Sequence, residues 1–453
     1  MDSKTLFVIV FFSTFTLFGQ NIKGTVLEED TNLPMENVNV YFKKEKIGTA
    51  TDETGGYDLK IKTKIKTTDT IRFSIIGYAP KNYTYLKLEE LHFTVHLSKQ
   101  TEKLNEVTVT SKRELNLRIS FKKLASMPKG VYDFGSVVIN NKIYVVGGNE
   151  SYYDNNAQRM FNKVATAQES TFEDLFRGAR TNSYWENYNN NLQIYDIEKD
   201  AWTVSNLKFH ARAYHNINFV KNKLYILGGK TLSTSKNMEY LDDKIEVFDL
   251  NTGQLVIDNS NPHQSVNFAS FTYQDNIIVM GGSIKQSSQG IKSYSDKSHI
   301  YNITSGYWYE LPQMNEPKEV NGIMAKGKIY LVGGFRNVPL SEIESYDLST
   351  GKWENEGNLV NRMERPALTF YGNTIYIFNN DKILTYNIKT KILNEYNIDL
   401  NLLDAQMQCH RNKLYIIGGF RNYDHTMEPS PNVYSINLNE FDMTKIIDSK
   451  KVN

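Results

Sequence analysis

The chain has 453 residues, more than one hydrophobic core usually organises, so two or three domains are expected. Its 52 basic and 51 acidic residues leave a net charge of +1, which argues against a nucleic-acid-binding protein. The single cysteine, Cys409, excludes intrachain disulfides and C-x-x-C motifs. Frequent Tyr and Phe, with few Pro and Ala, predict an all-β fold.

The first 19 residues have the pattern of a secretory signal peptide. Lys4 supplies a weak positive charge, residues 6–18 are mostly apolar, and Gly19 offers a small residue for cleavage before Gln20. A membrane anchor is the competing interpretation, but an apolar run of about 13 residues is shorter than the roughly 20 that a bilayer requires. We therefore expect an exported protein with no transmembrane segment in the mature chain.

Residues 20–99 alternate short β-branched and aromatic runs with turn residues, which predicts a compact β-sandwich. The turn residues include Asp52 with Gly55, and Gly77, because Gly tolerates positive φ and Asp bonds its own backbone. The motifs Gly24-Thr25-Val26, Leu33-Pro34, Gly48-Thr49-Ala50-Thr51-Asp52, Gly55-Gly56-Tyr57 and Ser74-Ile75-Ile76-Gly77-Tyr78 resemble the carboxypeptidase-regulatory-like domain.

The next residues, 100–118, are predicted to form a linker. Within them, residues 104–110 resemble the segment that joins such domains to outer-membrane receptors in Bacteroidetes-type bacteria. The resemblance implies a two-membrane bacterium, a location in the periplasm or at the outer membrane or cell surface, and a module that mediates contacts. A folded spacer is the alternative role for residues 20–99.

An apolar run that ends in Gly-Gly recurs through the remaining chain. The five diglycines are Gly147-Gly148, Gly228-Gly229, Gly281-Gly282, Gly333-Gly334 and Gly418-Gly419. A sixth run, residues 375–378, ends in Asn379-Asn380 instead, and Asn also tolerates the left-handed backbone. Six units predict a ring of six blades over residues 119–453. The long first spacing predicts an insertion at residues 149–191 in the first blade.

Each unit also carries an aromatic residue followed seven positions later by a large apolar residue. The six pairs are Tyr195 and Trp202, Phe248 and Leu255, Tyr301 and Trp308, Tyr346 and Trp353, Tyr386 and Leu393, and Tyr434 and Phe441. Together with the diglycines, these pairs resemble the kelch repeat, which implies a six-bladed β-propeller. Two segments could supply the outermost strand that closes the ring, residues 119–127 or residues 441–447.

Polar residues recur 14 positions before each diglycine position, and we expect them to ring the axial channel. They are Asp133, Tyr214, Asn267, Glu319, Arg365 and Asp404. The next residue along is mostly apolar and should face the sheet packing. Arg336 and Arg421, each in a Phe-Arg-Asn motif, are predicted beside this ring, where their planar guanidinium groups suit carboxylate recognition.

The insertion is rich in aromatic residues, including Trp185, and residues 170–178 are predicted to form a short helix over the channel mouth. Aromatic residues suit stacking on sugars, although they could equally dock the loop onto the propeller. We expect these residues to bind a protein or glycan partner at the cell envelope. The alternative is a channel lined by solvated polar residues without a specific ligand.

No catalytic or metal-ligating cluster emerges, and no cofactor is predicted. Cys409 and His215 fall in apolar columns of the repeat, which favours burial over catalysis. Some exported bacterial kelch propellers are sialic-acid mutarotases, so a sugar-active enzyme is the alternative function. Its acid–base candidates would be Glu319, Asp133 and Asp404.

Overall fold

The structure is a computed structural model that describes residues 20–99, 115–155, 158, 183–235, 238–286, 290–423 and 425–452. The chain divides into two compact units, residues 1–112 and 113–453. No helix among the described residues is long and apolar enough to cross a membrane.

The first unit is a β-sandwich, as the sequence predicted. Its elements are β1 (Gln20–Glu28), β2 (Asn39–Phe42), β3 (Ile47–Ala50), β4 (Gly56–Ile61), β5 (Thr70–Ser74), β6 (Lys81–Thr84), α1 (Tyr85–Glu90) and β7 (Thr94–Leu97). One sheet has the order β4-β1-β7 and the other β3-β2-β5-β6, and their apolar faces form one core. Asp52 accepts hydrogen bonds from the backbone of Thr54 and Gly56, both at 2.9 Å, and Gly55 has a φ of 73°, as expected for this turn.

The second unit consists of six antiparallel sheets arranged as the blades of a propeller. It begins with β8 (Lys122–Lys123), which belongs to the last blade. The first three blades and their loops contain β9 (Gly135–Ile139), β10 (Lys142–Val146), β11 (Tyr152–Asp154), β12 (Ser183–Trp185), β13 (Asn191–Asp196), β14 (Ala201–Lys208), β15 (Asn216–Val220), β16 (Lys223–Leu227), β17 (Lys230–Leu232), β18 (Glu239–Leu241), β19 (Lys244–Asp249), β20 (Leu255–Ser260), β21 (Ala269–Tyr273), β22 (Asn276–Met280), β23 (Ser283–Gln286), β24 (Lys292–Tyr294), β25 (Ser298–Asn302) and β26 (Tyr307–Leu311).

The remaining blades complete the ring. They contain β27 (Gly322–Ala325), β28 (Lys328–Val332), β29 (Phe335–Arg336), β30 (Val338–Asp347), β31 (Lys352–Met363), β32 (Ala367–Tyr371), β33 (Thr374–Asn387), β34 (Ile392–Leu402), β35 (Gln406–His410), β36 (Lys413–Ile417), β37 (Phe420–Tyr423), β38 (Thr426–Pro429), β39 (Val433–Asn437), α2 (Glu440–Met443) and β40 (Asp448–Lys451). We name the four strands of each blade a to d from the axis outward, so that strand d of blade 6 is β8.

The six blade sheets have the orders β14-β13-β10-β9, β15-β16-β19-β20, β21-β22-β25-β26, β27-β28-β30-β31, β32-β33-β34-β40 and β35-β36-β39-β8. In blade 5, β33 contains both strand b and strand c, and Asn380 at the turn has a φ of 58°. The left-handed backbone predicted for the missing diglycine is therefore present at this asparagine.

The N-terminal segment of the propeller closes the ring, because β8 pairs with β39 of blade 6. The other candidate, residues 441–447, does not form that strand. Its first residues belong to α2, and Ile446 and Ile447 are exposed. Strand β40 instead adds a fifth strand to blade 5 by pairing with β34.

Five of the six predicted aromatic pairs lie directly opposite each other on strands c and d. The Tyr195 and Trp202 rings, for example, have centroids 5.1 Å apart. The sixth pair, Tyr434 and Phe441, does not lie across two neighbouring strands, because Tyr434 lies opposite Lys123 of β8. Phe441 packs on Tyr376 and Tyr396 of blade 5 instead.

The diglycines join each blade to the next. The second glycine donates its backbone N–H to a carbonyl of the following d–a connection, from Gly148 to Arg212, Gly229 to Ser265, Gly282 to Lys318, Gly334 to Met363 and Gly419 to Val131, at 2.8–3.0 Å. The last of these bonds links blade 6 to blade 1. At Gly229, φ is 80°, and an added Cβ would lie 2.3 Å from the carbonyl oxygen of Ala213. Only glycine fits both constraints.

Replacing Gly229 with alanine tests this explanation. The left-handed backbone should cost about 1–2 kcal/mol, and the clash with Ala213 should add about 1–3 kcal/mol. Gly253→Ala is the matched control, because Gly253 has a φ of 71° with no atom within 4 Å of its added Cβ. Urea unfolding followed by tryptophan fluorescence measures both losses. Equal losses would show that the close approach of Gly229 to the Ala213 carbonyl does not matter.

Candidate functional site

The predicted polar ring lies at the start of each strand a. Four of its members have left-handed backbones, Asp133 at φ 51°, Tyr214 at 62°, Asn267 at 52° and Asp404 at 49°. Such strain in residues other than glycine clusters at functional sites. The following column of residues is buried at all six positions, as predicted: Phe134, His215, Phe268, Val320, Pro366 and Ala405.

Five ring residues line one small cavity of about 60 Å³ at the axis, Asp133, Tyr214, Asn267, Arg365 and Asp404. The repeat therefore places them together, although they come from five different connections between blades. Glu319 does not line this cavity, but its Oε2 accepts a hydrogen bond from Asn267 Nδ2 at 3.0 Å. The six predicted residues thus form one connected cluster, which we call the axial cluster.

Arg365 holds two acidic residues of the axial cluster. Its guanidinium makes a bidentate pair with Asp404, with Nε to Oδ1 at 2.8 Å and Nη2 to Oδ2 at 2.5 Å. Asp133 lies farther away, with its Oδ1 3.8 Å from Arg365 Nε. Glu364 Oε1 also lies 3.7 Å from Arg365 Nη1, so the charge of one arginine is shared unequally among three carboxyl groups.

Asp133 is the poorly compensated acid. Its Oδ2 is buried and has no hydrogen-bond partner among the described residues. Burial raises the pKa of Asp133 to about 8; the Asp404 carboxylate also raises it, while the Arg365 charge lowers it. The side chain therefore holds a proton near neutral pH, which makes it a hydrogen-bond donor at the axis.

Glu319 has the opposite environment, although it is also completely buried. Its carboxylate accepts hydrogen bonds from Asn267 Nδ2, from Ser283 Oγ at 2.7 Å and from Lys292 Nζ at 2.8 Å. Three donors, one of them charged, replace the hydrogen bonds to water that this carboxyl group loses on burial. Glu319 is therefore fixed in place and anchors Lys292.

A larger cavity of about 830 Å³ shares Tyr214, Asn267 and Arg365 with the small one. We call the face that carries the b–c and d–a connections the long-loop face. Two b–c hairpins on this face line the cavity, β17–β18 of blade 2 and β23–β24 of blade 3. We call this space the hairpin cavity. Tyr240 and Ile284, which line it, are about half exposed.

The hairpin cavity carries an excess of positive charge. Four basic residues line it, Lys230, Lys285, Lys292 and Arg365; Lys230 pairs with Glu239, Lys292 with Glu319 and Arg365 with Asp404, so Lys285 supplies the uncompensated charge. Lys230 pairs with Glu239 at 2.7 Å, and its Nζ lies 4.5 Å from the centre of the Tyr214 ring. Lys285 is exposed and has no ion-pair partner among the described residues. An anionic group is the ligand that this lining favours.

Besides Glu319, three predicted site residues lie outside both cavities. Arg336 pairs with Glu316, and Arg421 donates to the Tyr434 hydroxyl at 3.2 Å. Trp185, half exposed on β12, lies opposite Tyr152 on β11. The helix predicted at residues 170–178 lies outside the described residues.

The lysines of the hairpin cavity were not singled out from the sequence. The loops that carry them, residues 230–243 and 283–298, join strands b and c of blades 2 and 3. Each is a β-hairpin, and strand alternation within these loops is the signal that could have indicated their inward-facing lysines.

His215 and Cys409 are not arranged for catalysis. His215 is buried, with its Nε2 3.1 Å from the Val146 carbonyl oxygen, and burial lowers its pKa to about 3. Cys409 is half buried against the core of blades 5 and 6, and burial raises the pKa of its thiol to about 11. Among the described residues, no group of three or more His, Cys, Asp or Glu could hold a metal ion.

A closed ring of six four-stranded blades defines this unit as a β-propeller. Residues 175–379 match the family model described as "KLHDC2/KLHL20/DRC7 Kelch-repeats domain", and residues 22–109 match the "CarboxypepD_reg-like domain". The chain therefore carries a kelch-repeat propeller preceded by a carboxypeptidase-regulatory-like domain, as both sequence resemblances implied.

Individual relatives resemble parts of the propeller. Kelch repeat and BTB domain-containing protein 12 of Homo sapiens is 28% identical over 184 residues, 38% of this chain and 29% of that protein. Kelch-like protein 23 of Homo sapiens is 22% identical over 218 residues, 38% of this chain and 37% of that protein. The chain thus spans about a third of the length of these relatives.

A solved structure titled "Structure of YjhT" has a TM-score of 0.51 and 11% identity, covering 68% of this chain and 95% of that one. At this identity, the similarity supports the propeller fold alone.

Replacing Asp133 with asparagine tests its protonation. The native protein keeps a proton on Asp133 until its pKa of about 8, whereas the unfolded chain releases it near the ordinary pKa of 3.8. The contribution of Asp133 to wild-type stability therefore falls as pH rises from about 4 to about 8. Asparagine mimics the protonated form and accepts the left-handed backbone.

We expect the stability of Asp133→Asn relative to wild type to increase across this pH window and then level off. Urea unfolding at pH 5, 7 and 9 measures the difference. A variant that is destabilised by the same amount at all three pH values would show that Asp133 is ionised and bound to Arg365.

Proposed function

We propose that this chain is a binding or scaffold protein of the cell envelope, and that it holds a partner protein on the long-loop face of its propeller. The hairpin cavity carries this proposal, since it opens directly above the axial cluster. Its volume of about 830 Å³ lies within the range of ligand sites. Kelch domains generally bind proteins, which supports the same role.

The lining favours a protein segment that carries an acidic group. Lys285 and Arg365 supply positive charge, while Tyr240 and Ile284 supply exposed apolar surface at the rim. Segments of proteins combine charged and apolar side chains in this way. A glycan is the other class of partner, because tyrosine rings also suit stacking on sugars.

We also propose export to the periplasm or to the outer-membrane surface. The signal-like pattern of residues 1–19 and the carboxypeptidase-regulatory-like domain support this location. N-terminal sequencing of protein recovered from the envelope fraction tests it, with a mature chain beginning near Gln20 as the expected result and an intact Met1 in the cytoplasmic fraction as the contrary one.

Charge reversal at Lys285 tests the binding site. Random octapeptides displayed on phage are selected on the full chain, and the same protein is applied to a glycan array. We expect selected peptides to be enriched in Asp or Glu and to bind Lys285→Glu at least about tenfold more weakly, because the charge reversal repels them.

Lys389→Glu is the matched control, because Lys389 is an equally exposed lysine in the c–d turn of blade 5, on the opposite face. Equal weakening by both variants, or by neither, would place the binding site elsewhere. Retention on the glycan array with no peptide enrichment would identify a glycan as the partner.

A sugar-active enzyme is the second candidate function, and Asp133 is the observation that favours it. A carboxyl group with a pKa of about 8 can donate and accept a proton near neutral pH. The cavity that Asp133 lines is only about 60 Å³, so a sugar would have to bind in the hairpin cavity. A proton from Asp133 would then have to pass Tyr214 or Arg365 to reach it.

Mutarotation of N-acetylneuraminate followed by NMR tests this candidate. An enzyme should exceed the rate in buffer and lose that excess in Asp133→Asn. A wild-type rate equal to that of buffer would remove the candidate.

A further inference from the structure

Among the described residues, one pair of neighbouring hairpins on the long-loop face is joined by strand pairing. Strand β38, the second hairpin strand of blade 6, pairs with β11, the first added strand of blade 1. In this pairing, Met427 lies opposite Tyr153 and Thr426 lies opposite Asp154. The result is a four-stranded sheet of order β12-β11-β38-β37. The ring therefore brings such hairpins close enough to share backbone hydrogen bonds.

The hairpins of blades 2 and 3 occupy the corresponding places but remain two separate two-stranded sheets. Here the second strand of one blade is β18 and the first strand of the next is β23. All three residues of β18 and all four of β23 line the hairpin cavity. A space thus separates two strands at the place where β38 and β11 are paired.

The backbone of β18 directs hydrogen-bonding groups into this space. In the β17–β18 register, Thr231 lies opposite Tyr240. Bonds from Ser233 N to Met238 O and from Asp242 N to Gly229 O occur two residues to either side of that pair. Because bonded and non-bonded pairs alternate in an antiparallel ladder, the N–H and C=O groups of Glu239 and Leu241 point away from β17.

The opposite edge of the same hairpin confirms this alternation. Lys230, which lies opposite Leu241, exchanges backbone hydrogen bonds with Ala213 at 3.0 and 3.1 Å on the outer side of β17. Leu241 therefore presents its backbone groups on the outer side of β18. No strand pairs with that edge among the described residues.

We propose that an extended segment of a partner protein inserts between β18 and β23 as an added strand. The inference rests on the proposed function and specifies its mode of recognition. With the two hairpins, the segment would complete a five-stranded sheet that resembles the joined hairpins of blades 6 and 1. Backbone hydrogen bonds then supply affinity, and alternate side chains supply specificity.

Charge selects the side chains of the inserted segment. Lys285 on β23 supplies uncompensated positive charge on the wall of the space, whereas Arg365 at its floor already pairs with Asp404. An acidic side chain of the segment that points to β23 would pair with Lys285. Exposed apolar side chains at Tyr240 and Ile284 favour apolar neighbours on that segment.

Two measurements on an octapeptide selected on the full chain test strand insertion. In an N-methyl scan of the peptide, methylation at each consecutive residue of the inserted segment should weaken binding by about tenfold, because alternate N–H groups face β18 and the intervening ones face β23, while the residues at the peptide ends tolerate it. This scan leaves the protein unchanged, so it does not depend on the folding of a variant.

The second measurement removes a hydrogen-bond donor from the protein. Leu241→Pro deletes an N–H that faces the cavity and should weaken peptide binding about tenfold. Leu232→Pro is the matched control, because Leu232 lies opposite Glu239 and its N–H points to the other side of the same hairpin. Its binding should stay within about twofold of wild type.

The outcomes separate this inference from the proposed function. Peptide binding that is lost in Lys285→Glu but insensitive to N-methylation and to Leu241→Pro would overturn strand insertion and leave the site in place. Failure of all octapeptides to bind would also overturn strand insertion. If the wild type then binds a glycan and Lys285→Glu does not, the hairpin cavity remains the binding site. Loss of peptide binding in both proline variants with a flat N-methyl scan would likewise contradict the inference.

Discussion

The hydrogen bond from the second glycine of each diglycine to the next blade sets the geometry of the propeller. It occurs at five of the six blade junctions, including the junction that closes the ring. The donor must lie within hydrogen-bond distance of a neighbouring backbone carbonyl, so the glycine has a left-handed backbone and no space for a side chain. Strand b of one blade is thereby tied to the d–a connection of the next.

The axial cluster is a consequence of that link. In four junctions, the axial residue follows two positions after the carbonyl that accepts the glycine N–H: Val131 precedes Asp133, Arg212 precedes Tyr214, Ser265 precedes Asn267, and Met363 precedes Arg365. A fixed backbone junction therefore presents a variable side chain at a fixed place. Within that frame, Glu319 accepts hydrogen bonds from three donors, whereas Asp133 lies 3.8 Å from the charge of Arg365. Two buried acids therefore have different hydrogen-bonding environments.

The sequence could predict what the backbone repeats. The diglycines and the aromatic pairs predicted six blades, and counting back from the diglycines located the axial residues, because both depend on positions that every blade shares. The pairing of Arg365 with Asp404 could not be predicted, since it depends on the reach of side chains across a ring. Arg336 shows the same limit. Phe335, the residue before Arg336, forms a β-bridge with Glu319, so the backbone lies beside the ring as the position of Arg336 suggested. The Arg336 side chain, however, pairs with Glu316. The hairpin lysines lie in loops without a repeat, so no periodic signal marked them.

The closing strands also set an order of folding. Strand β8 lies near the start of the propeller unit, whereas its partner β39 is among the last strands to be synthesised. Strand β40, on blade 5, follows later still. Ring closure thus joins segments more than 300 residues apart in sequence (123 to 434), and such distant contacts form slowly. Until residues 433–437 leave the ribosome, blade 6 lacks strand c, and β8 has no partner. The propeller therefore cannot close before residues 433–437 have been synthesised, and its first strand stays unpaired until then.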